Sequence, residues 1–186
     1  MVMENTNVIT AQTKAWIVNV VIGCNFCPFA SKVVQHDSIL YRVEENANRK
    51  KVLETLAVTF SIMDGDTSTD TSFIILPRAF PQFNAYLQLV DTAEALLTRL
   101  GYDGIYQLAS FHPHYVFAGS TGEDPANYTN RSPHPMLQIL REEQVTKAID
   151  SYPNTHEIPE RNILFAQEKG LAYMKELKGG CMKGHP

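Results

Sequence analysis

Apolar residues recur at helical spacing in Trp16, Ile17, Val20 and Val21, and again in Val52, Leu56, Val58, Phe60 and Met63, so the spacing predicts a helix in each stretch. Thr10 or Thr13 is placed to cap the first helix and Gly23 to end it. The run 16–22 is also rich in β-branched residues, which leaves a strand open there; the upstream cap favours helix. Pro28 suits the first turn of a short helix through Val34, because its missing N–H has no partner to lose at that position. Residues 39–43, 72–76 and 105–111 are short apolar runs bounded by turn residues or proline and are predicted as strands. Helices are predicted over 48–63, 83–100, 136–149 and 158–174, with a glycine-rich tail over 175–186 that should fray.

Strands joined through helices of this length imply an α/β or α+β layer fold, with one small sheet of about three strands and extra helices at both ends. The chain has 186 residues and is 44% apolar, enough for one core and too short for two ordinary domains. A single domain over 1–186 is therefore expected, with an ordered core of about 10–174. Residues 119–135 hold three prolines among many Gly, Asn, Thr and Ser, so they read as a long loop, the kind of segment that often carries function.

A net charge of −4 and a pI near 5.8 provide no basic stripe for a polyanion, which argues against nucleic acid as a partner. No stretch has the roughly 20 consecutive apolar residues of a membrane span, and Met1-Val2-Met3-Glu4-Asn5 lacks the layout of a secretory signal. An odd count of three cysteines argues against an exported disulfide framework and fits the cytoplasm. Oligomeric state and cofactors have no signature in the sequence.

Three stretches carry candidate chemistry. Cys27, next to Pro28 at an expected helix start, would be favoured as a thiolate by free N–H groups; with Cys24 it forms a Cys-x-x-Cys pair, and a buried inert cysteine is the alternative. His112 and His114 flank Pro113 at the end of the third strand and could act as a base, as metal ligands or as bonded structural histidines. Asn127, Asn130, Arg131 and Ser132 stand in a polar loop before the helix expected at 136, a plausible seat for a carboxylate or phosphate, or else a capping loop. One reading joins Cys27 as nucleophile, His112 as base, and Asn127, Asn130, Arg131 and Ser132 as contacts to an anionic small molecule. His112 and Arg131 are expected to converge on one pocket. A second reading is a zinc site using Cys27 and His112, with Cys24 or His114. A third is a non-enzymatic interaction protein whose loop is a docking surface. The residues leave all three open, including whether the chain is an enzyme.

Trp16 followed by Val21-Ile22-Gly23, the block Cys27-Pro28-Phe29-Ala30, Ala109-Ser110-Phe111-His112-Pro113, and Asn127-Tyr128-Thr129-Asn130-Arg131-Ser132-Pro133 leading to Leu140-Arg141-Glu142 carry a resemblance, with Glu160-Arg161-Asn162 fitting it as well. Over about residues 16–170 the chain resembles a bacterial family catalogued only as a domain of unknown function. The resemblance implies no activity. In that pattern a leucine commonly stands where this chain has Cys24, and an acidic residue where it has His114. It therefore implies that Cys27, His112, Asn130 and Arg131, rather than a Cys-x-x-Cys or a His-x-His, are the residues of interest.

Overall fold

The structure is a computed structural model that describes residues 2–183. A four-stranded sheet lies between two helical layers. Its strands are β1 (Ile39–Val43), β2 (Thr71–Ile75), β3 (Tyr106–Phe111) and β4 (Met136–Arg141), in the order β1-β2-β4-β3. β1 and β2 are parallel and joined through α3 (Arg49–Gly65), whose start is capped by Asn48 accepting from the Lys51 N–H. β4, last in sequence, lies between β2 and β3 and is antiparallel to both. A mixed sheet with helices outside it is an α+β arrangement, with one strand more than the sequence pattern suggests.

The extra strand falls where a helix over 136–149 is expected. In Met136-Leu137-Gln138-Ile139-Leu140 the side chains alternate: Leu137 and Ile139 enter one core, while Met136, Gln138 and Leu140 face the other way. A short apolar run does not distinguish strand from helix, and here the two open edges of β2 and β3 take it as a strand. Helix resumes only at α5 (Glu142–Ser151), with Glu142 and Glu143 in its first turn, where the helix dipole favours acids.

One face of the sheet is covered by α3 and α4 (Phe83–Arg99). Val52, Leu56, Phe60 and Met63 from α3 meet Tyr86, Leu89 and Ala93 from α4 and Ile74, Leu137 and Ile139 from the sheet, all with no exposure. Val58, expected in this stripe, is instead half exposed. The other face is covered by both ends of the chain. α1 (Val2–Trp16) runs into a π-helical segment (Ile17–Ile22), then α2 (Ala30–Gln35); α6 (Ile158–Cys181) returns from the far end. Thr10 and Thr13 lie inside α1 rather than at its start, Thr13 bonding back to Ile9 O.

Residues 175–181 of the expected tail continue α6 instead of fraying, and residues 184–186 lie outside those described. Met174, Leu177 and Cys181 continue the apolar spacing of α6 and pack with Ile9 and Trp16, and this burial outweighs the poor helix propensity of Gly179 and Gly180. Gln12 Nε2 donates to Met182 O at 2.8 Å, tying the two ends together. α6 is interrupted at Gly170, whose φ of 80° suits a residue without Cβ. Among the described residues no helix is long and apolar enough to cross a membrane.

Candidate ligand cavity

A cavity of about 510 Å³ lies between the sheet and the layer built from the chain ends. Its floor spans all four strands: Ile39, then Thr71 and Phe73, then Gln138 and Leu140, then Ala109 and Phe111. The roof comes from Trp16, Ile17 and Val21 of the α1 and π-helical run, from Phe26, Cys27, Phe29, Ala30 and Val33, and from the start of α6. Phe117, Thr129 and Asn130 close one side. None of the lining residues carries a formal charge.

The roof is shaped by a local irregularity. A π-helical turn adds a residue to the repeat, and such turns recur at functional sites. Gly23 ends it so tightly that a Cβ there would stand 2.3 Å from Asn19 O, so only glycine fits. The chain then doubles back, with the Phe26 N–H donating to Val21 O and Asn25 at a φ of 55°. From α6, Asn162 Nδ2 donates to Phe26 O at 2.7 Å and Arg161 to Asn25 O at 2.6 Å. This fixes the turn that presents Cys27, and it accounts for the Arg161-Asn162 pair as a brace for the cavity wall.

Cys27 lines the cavity. α2 begins at Ala30, so Pro28 precedes the helix instead of opening it. Burial pushes the thiol pKa up, against the opposing pull of the Phe29 and Ala30 backbone N–H groups. Cys24 is buried and likewise shifted up by burial; among the described residues all three cysteines are free.

His112 does not share this cavity. Its ring is fully buried on the α4 side, against Phe83 and Tyr86, with Nε2 3.0 Å from Phe80 O and Nδ1 3.0 Å from the His114 N–H. A carbonyl can only accept and an N–H only donate, so Nε2 carries the proton and Nδ1 is the acceptor. Both nitrogens are spent in a neutral ring, and burial lowers its pKa. The expected pairing of Cys27 with His112, as nucleophile and base or as joint zinc ligands, is not formed. Among the described residues there is no group of three His, Cys, Asp or Glu placed to hold a metal ion.

The polar loop divides between the cavity and its own framework. Arg131, expected as an exposed anion clamp, is 8% exposed. Its Nε donates to Tyr115 O at 2.9 Å, its Nη2 to Gly122 O at 2.8 Å, and its guanidinium lies 4.8 Å from the Tyr128 ring. Its own carbonyl accepts from Trp16 Nε1 at 3.1 Å, which joins loop to roof. Asn127 is fully buried, accepting from the Phe117 N–H and donating to Thr121 O. Ser132 is buried and donates to His134 O. Carbonyls that leave secondary structure need donors, and this loop takes several of them from its own side chains. His112 and Arg131 thus flank the same connection, as expected, yet both turn away from the cavity. Asn130 alone of the four lines it, with Nδ2 on Ser110 O. Lys178 adds another brace, donating to Pro113 O at 3.0 Å; burial first, and then Arg131, lower its pKa to about 8.

The floor contains a residue that the motifs do not point to. Gln138 sits mid-sheet on β4, paired with Phe73 on one side and Ala109 on the other. Its Nε2 donates to Thr71 Oγ1 at 3.0 Å, and Thr71 Oγ1 in turn donates to Ile139 O at 2.7 Å. The Thr71 proton is committed, so that hydroxyl can only accept from Gln138, which sets the orientation of the amide. The signal was one polar residue inside the apolar run 136–140.

A family model described as a protein of unknown function (DUF1415) matches residues 8–176, and the chain belongs to this family. No curated protein and no solved structure matches the chain.

Proposed function

We propose that this protein binds an uncharged, largely apolar small molecule in the cavity between the sheet and the chain ends. The observation that carries this reading is the cavity itself: about 510 Å³, inside the range of small-molecule sites, walled by six aromatic side chains and no charged one. An ionised ligand entering it would lose water with no counter-charge in return, which moves the reading from the anion suggested by the loop to a neutral molecule. The same reading sets the protein in the bacterial cytoplasm, where Cys24, Cys27 and Cys181 would stay reduced.

Trp16 is the single tryptophan and lines the cavity, so its fluorescence reports occupancy. A panel of uncharged apolar compounds of graded size should change Trp16 emission and raise the melting temperature, by about 3 kcal/mol of linkage at a hundredfold excess over Kd. Ala109→Phe, which puts a ring into the floor, should abolish both responses. If no compound acts on the unaltered chain, or if Ala109→Phe binds as well as the parent, the reading is wrong.

A further inference from the structure

The same cavity narrows the class of molecule it would hold, an inference that rests on the ligand-binding reading above. Three features constrain the ligand. The floor is a sheet face four strands wide, roughly 14 Å across at about 4.8 Å per strand, but at most two side-chain levels deep along any strand, roughly 7 Å. Small side chains in this lining, Ala109 below and Ala30 above, leave room between floor and roof. Aromatic rings line both faces: Trp16 of the roof meets Phe111 of the floor at 5.1 Å and 69°, and Phe73 of the floor lies 6.4 Å from Phe111. A cavity lined by rings above and below gives a flat aromatic molecule more contact than a flexible chain, which would also lose rotamer freedom on entry.

The third feature is Gln138. One N–H of its amide is used on Thr71, and the second N–H and Oε1 make no hydrogen bond to a described residue. A carboxamide held by Thr71 in the middle of an apolar floor keeps one donor and one acceptor unspent on the same planar group. Leaving such a pair dry beneath an apolar ligand costs free energy, so the ligand that fits must return a matching acceptor and donor. We propose that the ligand is an uncharged planar heteroaromatic molecule with a cyclic amide edge, its carbonyl accepting from Gln138 Nε2 and its ring N–H donating to Gln138 Oε1.

Equilibrium dialysis with four probes tests this: 2-quinolone, N-methyl-2-quinolone, naphthalene and 1-decanol, each against the unaltered chain, Gln138→Leu and Ala109→Phe. 2-Quinolone should bind the unaltered chain about tenfold more tightly than its N-methyl derivative and naphthalene, as two modest hydrogen bonds would give. Gln138→Leu should remove that preference while still binding naphthalene, and Ala109→Phe should lose all three rings. Equal binding of the three ring compounds, a preference surviving in Gln138→Leu, or tighter binding of 1-decanol than of any ring would overturn the inference while leaving a ligand cavity in place. Binding of none of the four to the unaltered chain would overturn the inference and the reading beneath it together. Should Gln138→Leu not fold, the N-methyl comparison on the unaltered chain decides the matter.

Discussion

The sheet meets α3 and α4 through side chains that leave no measurable exposure, whereas on its other face the helices from the two chain ends stand off enough to leave about 510 Å³. Both faces use aliphatic and aromatic residues, so composition does not separate them. What separates them is the source of the covering helices. α3 and α4 are regular, each linking successive strands, and settle into the sheet. The opposite layer is irregular: a π-helical turn, a doubled-back segment at residues 23–29, and a helix broken at Gly170. Regular helices close a gap, and irregular ones held by specific polar ties can keep it open. Those ties are the polar motif residues Arg131, Asn127, Asn162 and Arg161; of these Asn162 also lines the cavity, and the other three serve its geometry without lining it.

The comparison makes the packed face the more sensitive to loss of volume. Phe60→Ala, which removes a ring in contact with Tyr102 and Tyr106, should lower stability by about 3–5 kcal/mol in urea unfolding, while Phe29→Ala on the cavity side should lower it by less than about 2. Comparable losses at both positions would mean that the cavity collapses in solution. Arg131→Ala should also destabilise, by about 2 kcal/mol, because it removes a largely buried side chain that donates to the Tyr115 and Gly122 carbonyls and packs on Tyr128; a change below about 1 kcal/mol would show a guanidinium free to bind something else.

Acid should act through the irregular layer. His134 is buried and bonded to Gln12, and burial together with the Lys178 charge lowers its pKa to about 4. The folded state favours the neutral ring, so this contribution is present above pH 6.5 and is lost as pH falls from about 6.5 toward 4. The loss should approach about 3 kcal/mol in unfolding measured across that window, and His134→Gln should flatten it. A pH response unchanged by the substitution would place the acid sensitivity elsewhere.

Overfilling should give the smaller contrast. Ala93→Leu, in the α3 and α4 core, should cost about 1–3 kcal/mol, and Ala109→Leu, at the cavity floor, should stay within about 1 kcal/mol of the parent. Smallest is the thiol: Cys27, kept protonated by burial, should react with a disulfide reagent at pH 7 more slowly than free cysteine, and faster reaction would show an activated thiolate that this geometry does not provide.

Much of this scaffold is legible in the sequence. The spacing in residues 48–63 and 83–100 gives α3 and α4, and β1 has the expected bounds, because amphipathic periodicity survives wherever one face is simply buried. β4 escapes because its apolar run is short and its neighbours in the sheet lie 30 and 65 residues upstream, so pairing, not propensity, decides its state. Of the candidate site residues, Cys27 and Asn130 line the cavity. His112, Asn127, Arg131 and Ser132 were marked by residue type, and residue type does not reveal whether a polar group faces a ligand or a neighbouring carbonyl. Gln138 carries the opposite lesson: an ordinary residue type becomes informative once its strand is known to floor a cavity.

The tie between Gln12 and Met182 has a consequence for how the chain is made. The packed half, from β1 through β4, is complete when residue 141 emerges, but the layer over the cavity needs residues 9–35 and 158–181 together. During synthesis the sides of Ile9, Trp16, Ile17 and Val20 that pack against α6 therefore stay uncovered until residues 158–181 emerge. The cavity is closed only once α6 is made, and a nascent chain halted before residue 158 would leave it open on that side.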